Sequence, residues 1–325
     1  MSFELILPFF PEELRALLLD PSISDLMVNG ATGVFVTRNG MMEEVILKSP
    51  YTNDRLLAAI QRVARILGQD LTTQNAILDT RLPDGSRVAV VGPPASLYGP
   101  TVTIRKFNHW YTSDELVAAG TLPKHVRDTV VRLIHEEQNG LISGGTGSGK
   151  TTLMKAFLDH IPAHHRLVVV EQPAELKVDH RNVVRWESIA EIPGQAGIPS
   201  TRLVNASMRH NPSHIILGET REENAYALLQ AMNSGHPGTL STIHADSAVD
   251  ALERLAGLAL NARDNLNQAF VRWQTGRSVK FVLYCERDEM GRRRVRELIR
   301  VTGYSHAEQS FETEEIYRAS SAATE

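Results

Sequence analysis

The chain has 325 residues, 42% of them hydrophobic and 22% charged, an ordinary globular balance that excludes a disordered chain, a collagen-like repeat and a coiled-coil rod. A formal charge of -4 and a single cysteine exclude a globally basic nucleic-acid binder, an intrachain disulfide and a cysteine-only zinc site. The length suits two domains, and no uncharged apolar run reaches the roughly 20 residues of a membrane span.

Phe9-Phe10-Pro11 leads into a short amphipathic helix over 12–19. It lacks the basic flank and small-residue cleavage site of a signal peptide. It could touch a membrane surface, but packing on a core is the favoured reading. Strands are expected over 24–28 and 33–37 around Asn29-Gly30, and over 43–47 after a turn at Arg38-Asn39-Gly40. Leu56, Leu57, Ile60, Val63, Ala64 and Leu67 recur at helical spacing over 52–67, with Thr52 or Asn53 as N-cap and Gly68 as C-cap. A hairpin over 76–82 and 86–91 turns at Pro83-Asp84-Gly85, Gly92-Pro93-Pro94 breaks it, and 100–107 is a last strand.

Residues 108–112 read as a linker. Beyond it, helices over 123–137, 150–160, 200–209 and 222–233 alternate with strands over 140–143, 166–171, 214–218 and 238–244. That alternation predicts a parallel sheet covered on both faces. Strands over 279–285 and 293–301 flank a turn at 288–291, and the polar, acidic end of the chain is expected to be loosely held. Cys285 reads as a small buried hydrophobe, and Trp110 and Trp186 as packing residues.

The sequence Gly144-Gly145-Thr146-Gly147-Ser148-Gly149-Lys150-Thr151 matches the phosphate-binding loop pattern G-x-x-x-x-G-K-[ST]. Glycines let backbone N–H groups converge on phosphate oxygens, and a helix N-terminus adds a favourable dipole. Lys150 can reach the β- and γ-phosphates and Thr151 can ligate Mg²⁺. An apolar strand before the loop and an apolar helix after it set this match apart from a glycine-rich turn.

Two further strands end in acids. His214-Ile215-Ile216-Leu217-Gly218-Glu219 brings Glu219 to the strand edge, where a carboxylate orients or deprotonates attacking water. The strand ending at Glu171 is followed by Gln172-Pro173-Ala174-Glu175, so Glu171 or Glu175 can position water or Mg²⁺. His236 and His244 lack the spacing of a metal-binding helix. Each can serve as a γ-phosphate sensor or as a hydrogen-bonded structural histidine.

In this order the motifs resemble the type II/type IV secretion ATPases, the VirB11-like traffic ATPases with TrbB and CpaF relatives. Ser143 to Thr152 resembles the family's Walker A, Glu171 to Glu175 its Asp box, Ile215 to Arg221 its Walker B, and Gly235 to Ala245 its His box. Arg81 to Arg87 and Thr103 to Phe107 resemble its N-terminal signatures.

The resemblance implies an α/β architecture: a RecA-like P-loop NTPase domain over 113–305 behind a smaller N-terminal α+β, PAS-like domain over 1–107, with a polar tail over 306–325. It implies ATP and Mg²⁺ as cofactors, with Glu219 in the second shell of the metal and Thr152 in the phosphate loop. It makes Arg105 a catalytic candidate and Arg81, Arg87 and Arg209 phosphate-contacting candidates. It also implies a homo-hexamer with nucleotide between the two domains of each subunit. Its partners would be inner-membrane secretion or pilus machinery proteins, its location the cytoplasmic face of that membrane. No specific nucleic-acid binding is expected, and Arg292-Arg293-Arg294 reads as a solvated strand edge. The stretch before Gly144 is too short for the extra domain of type II secretion ATPases, which favours the compact VirB11/TrbB type.

The sequence departs from the pattern at Gln172, where the family usually has Asp. An amide hydrogen-bonds metal-bound water but carries no charge and accepts no proton, which keeps a weakly hydrolysing, nucleotide-gated scaffold as an alternative. A Tad/type II-type pilus or secretion ATPase, a nucleic-acid translocase and a metabolic P-loop kinase are the others; the kinase leaves the N-terminal domain unexplained.

Overall fold

A computed structural model describes residues 6–38, 40–49, 51–82, 85–106, 110–189, 191, 196–263 and 265–319. The chain divides into two units, Met1–His109 and Trp110–Glu325. Asn39, Pro83 and Asp84 of the expected turns and 108–109 of the expected linker lie outside the described residues, as does Phe107.

The first unit contains α1 (Glu12–Leu19), β1 (Ile23–Asn29), β2 (Gly33–Arg38), β3 (Met41–Glu44), α2 (Asn53–Ile66), β4 (Ile77–Arg81), β5 (Arg87–Val91) and β6 (Thr101–Arg105). Its strands form an antiparallel sheet of order β3-β2-β1-β6-β5-β4. Thr52 caps α2 by accepting from the Arg55 N–H at 3.2 Å. Leu56, Ala59, Ile60, Val63 and Ala64 then form one buried stripe. Leu14 and Leu18 of α1 join the same core with Leu26, Val36, Val88 and Ile104 of the sheet. β3 begins earlier than its expected start at 43. Gly40, at φ +85°, lets the chain reverse tightly, so Met41 pairs with Arg38 at once.

The second unit contains α3 (Ser113–Ala118), α4 (Lys124–His135), β7 (Gly140–Gly144), α5 (Lys150–Leu158), β8 (Leu167–Glu171), β9 (Val183–Glu187), α6 (Ser200–Ser207) and β10 (His214–Leu217). It continues through α7 (Glu222–Asn233), β11 (Leu240–Ile243), α8 (Ala248–Asn261), α9 (Gln268–Ser278), β12 (Phe281–Arg287), β13 (Arg293–Ser305) and β14 (Ser310–Arg318). The sheet order is β14-β13-β12-β7-β11-β10-β8-β9. It is parallel from β12 to β9, and β13 and β14 extend it antiparallel. Every residue of β7, β8, β10 and β11 is buried, as expected of strands covered on both faces. Alternation splits the core: Leu141, Ile215 and Ile243 pack with α7, α8 and α9, whereas Ile142, Ile216 and Leu240 pack with α4 and α5.

The expectation of a loose end over 306–325 is corrected by β14 as far as residue 319, and 320–325 lie outside the described residues. Phe311 is buried, and Arg300–Glu314 and Arg318–Glu297 ion pairs cross to β13. Opposed charges on neighbouring strands favour pairing in a segment too polar to announce itself by hydrophobic alternation. Also unanticipated were β9, α8 and α9.

Parallel strands place their C-terminal ends along one edge. Gly144, Glu171, Glu219 and His244 each end or follow a strand there, which gathers residues far apart in sequence.

Candidate nucleotide site

The loop between β7 and α5 turns on glycines with positive φ: Gly144 at +153°, Gly147 at +71° and Gly149 at +100°. A Cβ on Gly144 would come within 2.1 Å of the Cys285 carbonyl oxygen, so the loop depends on a bare backbone where it crosses β12. Lys150, at 8% exposure, donates from Nζ to the carbonyls of Gly144 at 2.9 Å and Gly145 at 2.7 Å. Burial lowers its pKa. Ser148 is buried, while Gly145, Thr146 and Gly147 are exposed and Gly149, Thr151 and Thr152 half-buried.

Lys150 Nζ also lies 3.4 Å from His244 Nδ1. The ammonium only donates, so Nδ1 accepts and the ring proton sits on Nε2. Nε2 in turn is 3.0 Å from Glu219 Oε1. Burial, then the Lys150 charge, holds the His244 pKa below its ordinary value, which favours this neutral tautomer. The other oxygen of Glu219, Oε2, accepts from Arg221 Nη2 at 2.6 Å. A continuous relay therefore joins the phosphate loop to the carboxylate ending β10. Thr220 and Thr242 lock the two strand ends together: the Thr220 N–H donates to the Thr242 carbonyl at 2.7 Å, and the Thr242 hydroxyl to the Gly218 carbonyl at 2.6 Å.

Glu171 is only 3% exposed. Its Oε1 accepts from the N–H groups of Glu175 at 2.7 Å and Leu176 at 2.8 Å, and its Oε2 faces Arg185 at 3.3 Å. Burial raises its pKa against these contacts. Glu171 thus fastens its own loop, and the Glu175 side chain is exposed. Gln172 shares a small cleft with Glu171, Ser200, Glu219, Arg221 and Asn224.

His236 and Arg209 do not join this edge. His236 precedes β11 and its Nε2 contacts the Met208 carbonyl at 3.1 Å. Arg209 follows α6 and leads toward the start of β10. Both lie at the opposite ends of their strands from His244 and Glu219. In the first unit, the strand register sets Arg81 of β4 opposite Arg87 of β5, and Arg87 opposite Arg105 of β6. Arg105 pairs with Asp25 at 3.0 Å, and Nη2 of Arg81 is buried without a hydrogen-bond partner. Arg87 in turn lies 4.0 Å from Asp79, so Arg87 and Arg105 each face a carboxylate of their own sheet.

Sequence reasoning missed Arg293. Although exposed like the rest of the Arg292-Arg293-Arg294 run, it donates from Nε to the Gly147 carbonyl at 3.0 Å. No local signal marks it, because the hairpin from β12 to β13 brings it to the loop.

The family model for "Type II/IV secretion system protein" matches residues 12–317. The chain is 32% identical over 298 residues to the conjugal transfer protein TrbB of Rhizobium radiobacter, covering 90% of this chain and 88% of that one. It is 33% identical over 282 residues to the type IV secretion system protein VirB11 of Brucella suis biovar 1 (strain 1330), covering 78% of each. Its fold is similar to that of the Legionella pneumophila ATPase DotB, at a TM-score of 0.64 and 19% identity over 89% of this chain and 82% of that one. With a phosphate loop, a strand-end carboxylate and a match along nearly its whole length, the chain belongs to the type II/IV secretion system protein family and is an ATPase of the VirB11-like type.

Proposed function

We propose that this chain powers a conjugation or type IV secretion machine as a closed ring of six copies at the cytoplasmic face of the inner membrane. The relay from Lys150 through His244 to Glu219 carries the catalytic part of this reading. Relatives named for conjugal transfer and type IV secretion support the machine.

In the proposed mechanism, the loop N–H groups and Lys150 bind the phosphates of ATP. Glu219 orients and polarises the attacking water. His244, held between Lys150 and Glu219, fixes the carboxylate and reports γ-phosphate loss. Glu171 holds the loop carrying Gln172 and Glu175 against the site, and Ser148, Thr151 and Thr152 complete the cradle. His236 and Arg209, on the far side of the sheet, fit signalling to neighbouring subunits better than contact with the reacting phosphate. The Thr151 hydroxyl and, through water, the Glu219 carboxylate are hard oxygen donors of the kind Mg²⁺ takes. Bound there, the ion would neutralise charge on the β- and γ-phosphate oxygens.

Light scattering with and without ATP–Mg²⁺, combined with phosphate release, tests the proposal. A mass near six subunits and release that depends on Lys150 are expected. A monomer under both conditions, with no release, would contradict it. Gln172 in the cleft beside Glu219 favours one second reading, a slowly hydrolysing, nucleotide-gated scaffold.

A further inference from the structure

At the end of the parallel strands away from the phosphate loop lies a second group of titratable side chains that the ATPase reaction does not use. Glu137 follows α4, His165 precedes β8, and His214 opens β10. One ligand-capable atom from each lies within 4.8 Å of the other two. His214 is buried, and its Nδ1 is 2.9 Å from the Gly238 carbonyl. A carbonyl only accepts, so Nδ1 carries the proton and Nε2 keeps its lone pair. That lone pair accepts from His165 Nδ1 at 2.9 Å, and His165 Nε2 faces Glu137 Oε1 at 3.6 Å.

A backbone carbonyl that fixes one imidazole nitrogen and leaves the other unprotonated is the support given to metal-ligating histidines. Gly238 makes that support available: at φ +79°, a Cβ there would come within 2.5 Å of His214 Nδ1. Glu137 adds a second unusual feature. It adopts φ +53° just past α4, where glycine is the ordinary occupant. A non-glycine residue there incurs backbone strain, yet it keeps a carboxylate against His165. Neighbouring histidines are engaged elsewhere: His180 with Pro162 and Asn182, His135 with the His160 carbonyl.

We propose that Glu137, His165 and His214 form a binding site for a divalent transition metal of the zinc class, fastening the end of α4 to the entries of β8 and β10. Two imidazole nitrogens and one carboxylate oxygen suit zinc, with a fourth position left for water. Bonds of about 2.0–2.2 Å require ligand atoms roughly 3.3 Å apart. The set closes chiefly by movement of Glu137, whose side chain is 35% exposed. The site differs in kind from the hard oxygen donors at the phosphate loop.

The test uses the full, untagged chain, stripped with a chelator and titrated calorimetrically with Zn²⁺, beside Glu137→Gln and His165→Gln. Thermal melts with and without Zn²⁺ and ADP titrations accompany it. Wild type is expected to bind one equivalent and to gain several degrees in Tm. Each variant is expected to bind at least about tenfold more weakly and to lose the gain, with ADP affinity unchanged. Melts in chelator establish that each variant is folded, and Glu137→Gln, at a partly exposed position, serves should His165→Gln unfold. No saturable one-equivalent binding in wild type, or a folded variant that binds Zn²⁺ like wild type, would overturn the proposal.

Discussion

His244 Nε2 stands 3.0 Å from Glu219 Oε1, across the gap between the ends of two adjacent parallel strands. The contact couples a residue that touches the phosphate-loop lysine to the carboxylate proposed to act on water. Removing the imidazole should leave nucleotide binding intact while letting Glu219 drift. His244→Phe is expected to lower kcat about a hundredfold, the scale of an ångström-sized misplacement, with little change in ADP affinity. Equal losses of ADP binding and turnover would place His244 in binding instead.

Glu171 separates a structural from a catalytic carboxylate. Its Oε1 serves two backbone N–H groups, so Glu171→Ala should cost about 1–3 kcal/mol by leaving a buried donor unsatisfied. Glu171→Gln keeps an acceptor oxygen and should melt near wild type. A glutamine variant that melts normally but has lost turnover would show that its charge serves the reaction.

Gln172 lines the same cleft as Glu219. Gln172→Asp adds a carboxylate able to hold metal-bound water and accept a proton, and is expected to raise phosphate release. An unchanged or lower rate from a normally folded variant would refute this account of the substitution.

Cys285 is fully buried, and burial pushes its thiol up to about 11 from 9.0. Between these values the unfolded chain loses the proton first, so the folded state binds more protons and stability falls as pH rises. The contribution is present below about pH 9 and declines through pH 11, by up to about 3 kcal/mol. Denaturant titrations across that range should show a steeper alkaline loss in wild type than in Cys285→Ala. Parallel losses in the two proteins would contradict the assignment.

The glycine-rich turn after β7 was legible because its glycines are required by geometry, as the positive φ angles of Gly144, Gly147 and Gly149 demonstrate. β8 and β10 were legible from their continuous apolar runs. α9 was not, because it buries Gln274, Thr275, Gly276 and Ser278 rather than an apolar stripe. α8 carried a readable signal in Ser247, whose side chain caps it, and in Leu252 and Leu255. Groupings made by topology leave no local trace. Arg293 reaches Gly147 through a hairpin, and Glu137, His165 and His214 meet only because α4, β8 and β10 share one end of the sheet.

ATP turnover of Glu219→Gln tests the central claim most directly, measured as phosphate release alongside ADP affinity and melting temperature. Glutamine keeps the size of the side chain and one acceptor oxygen but removes the charge that polarises water. The account predicts a fall in kcat of roughly 10²–10⁴-fold with ADP affinity and stability unchanged. Turnover equal to wild type in a folded, nucleotide-binding variant would contradict it.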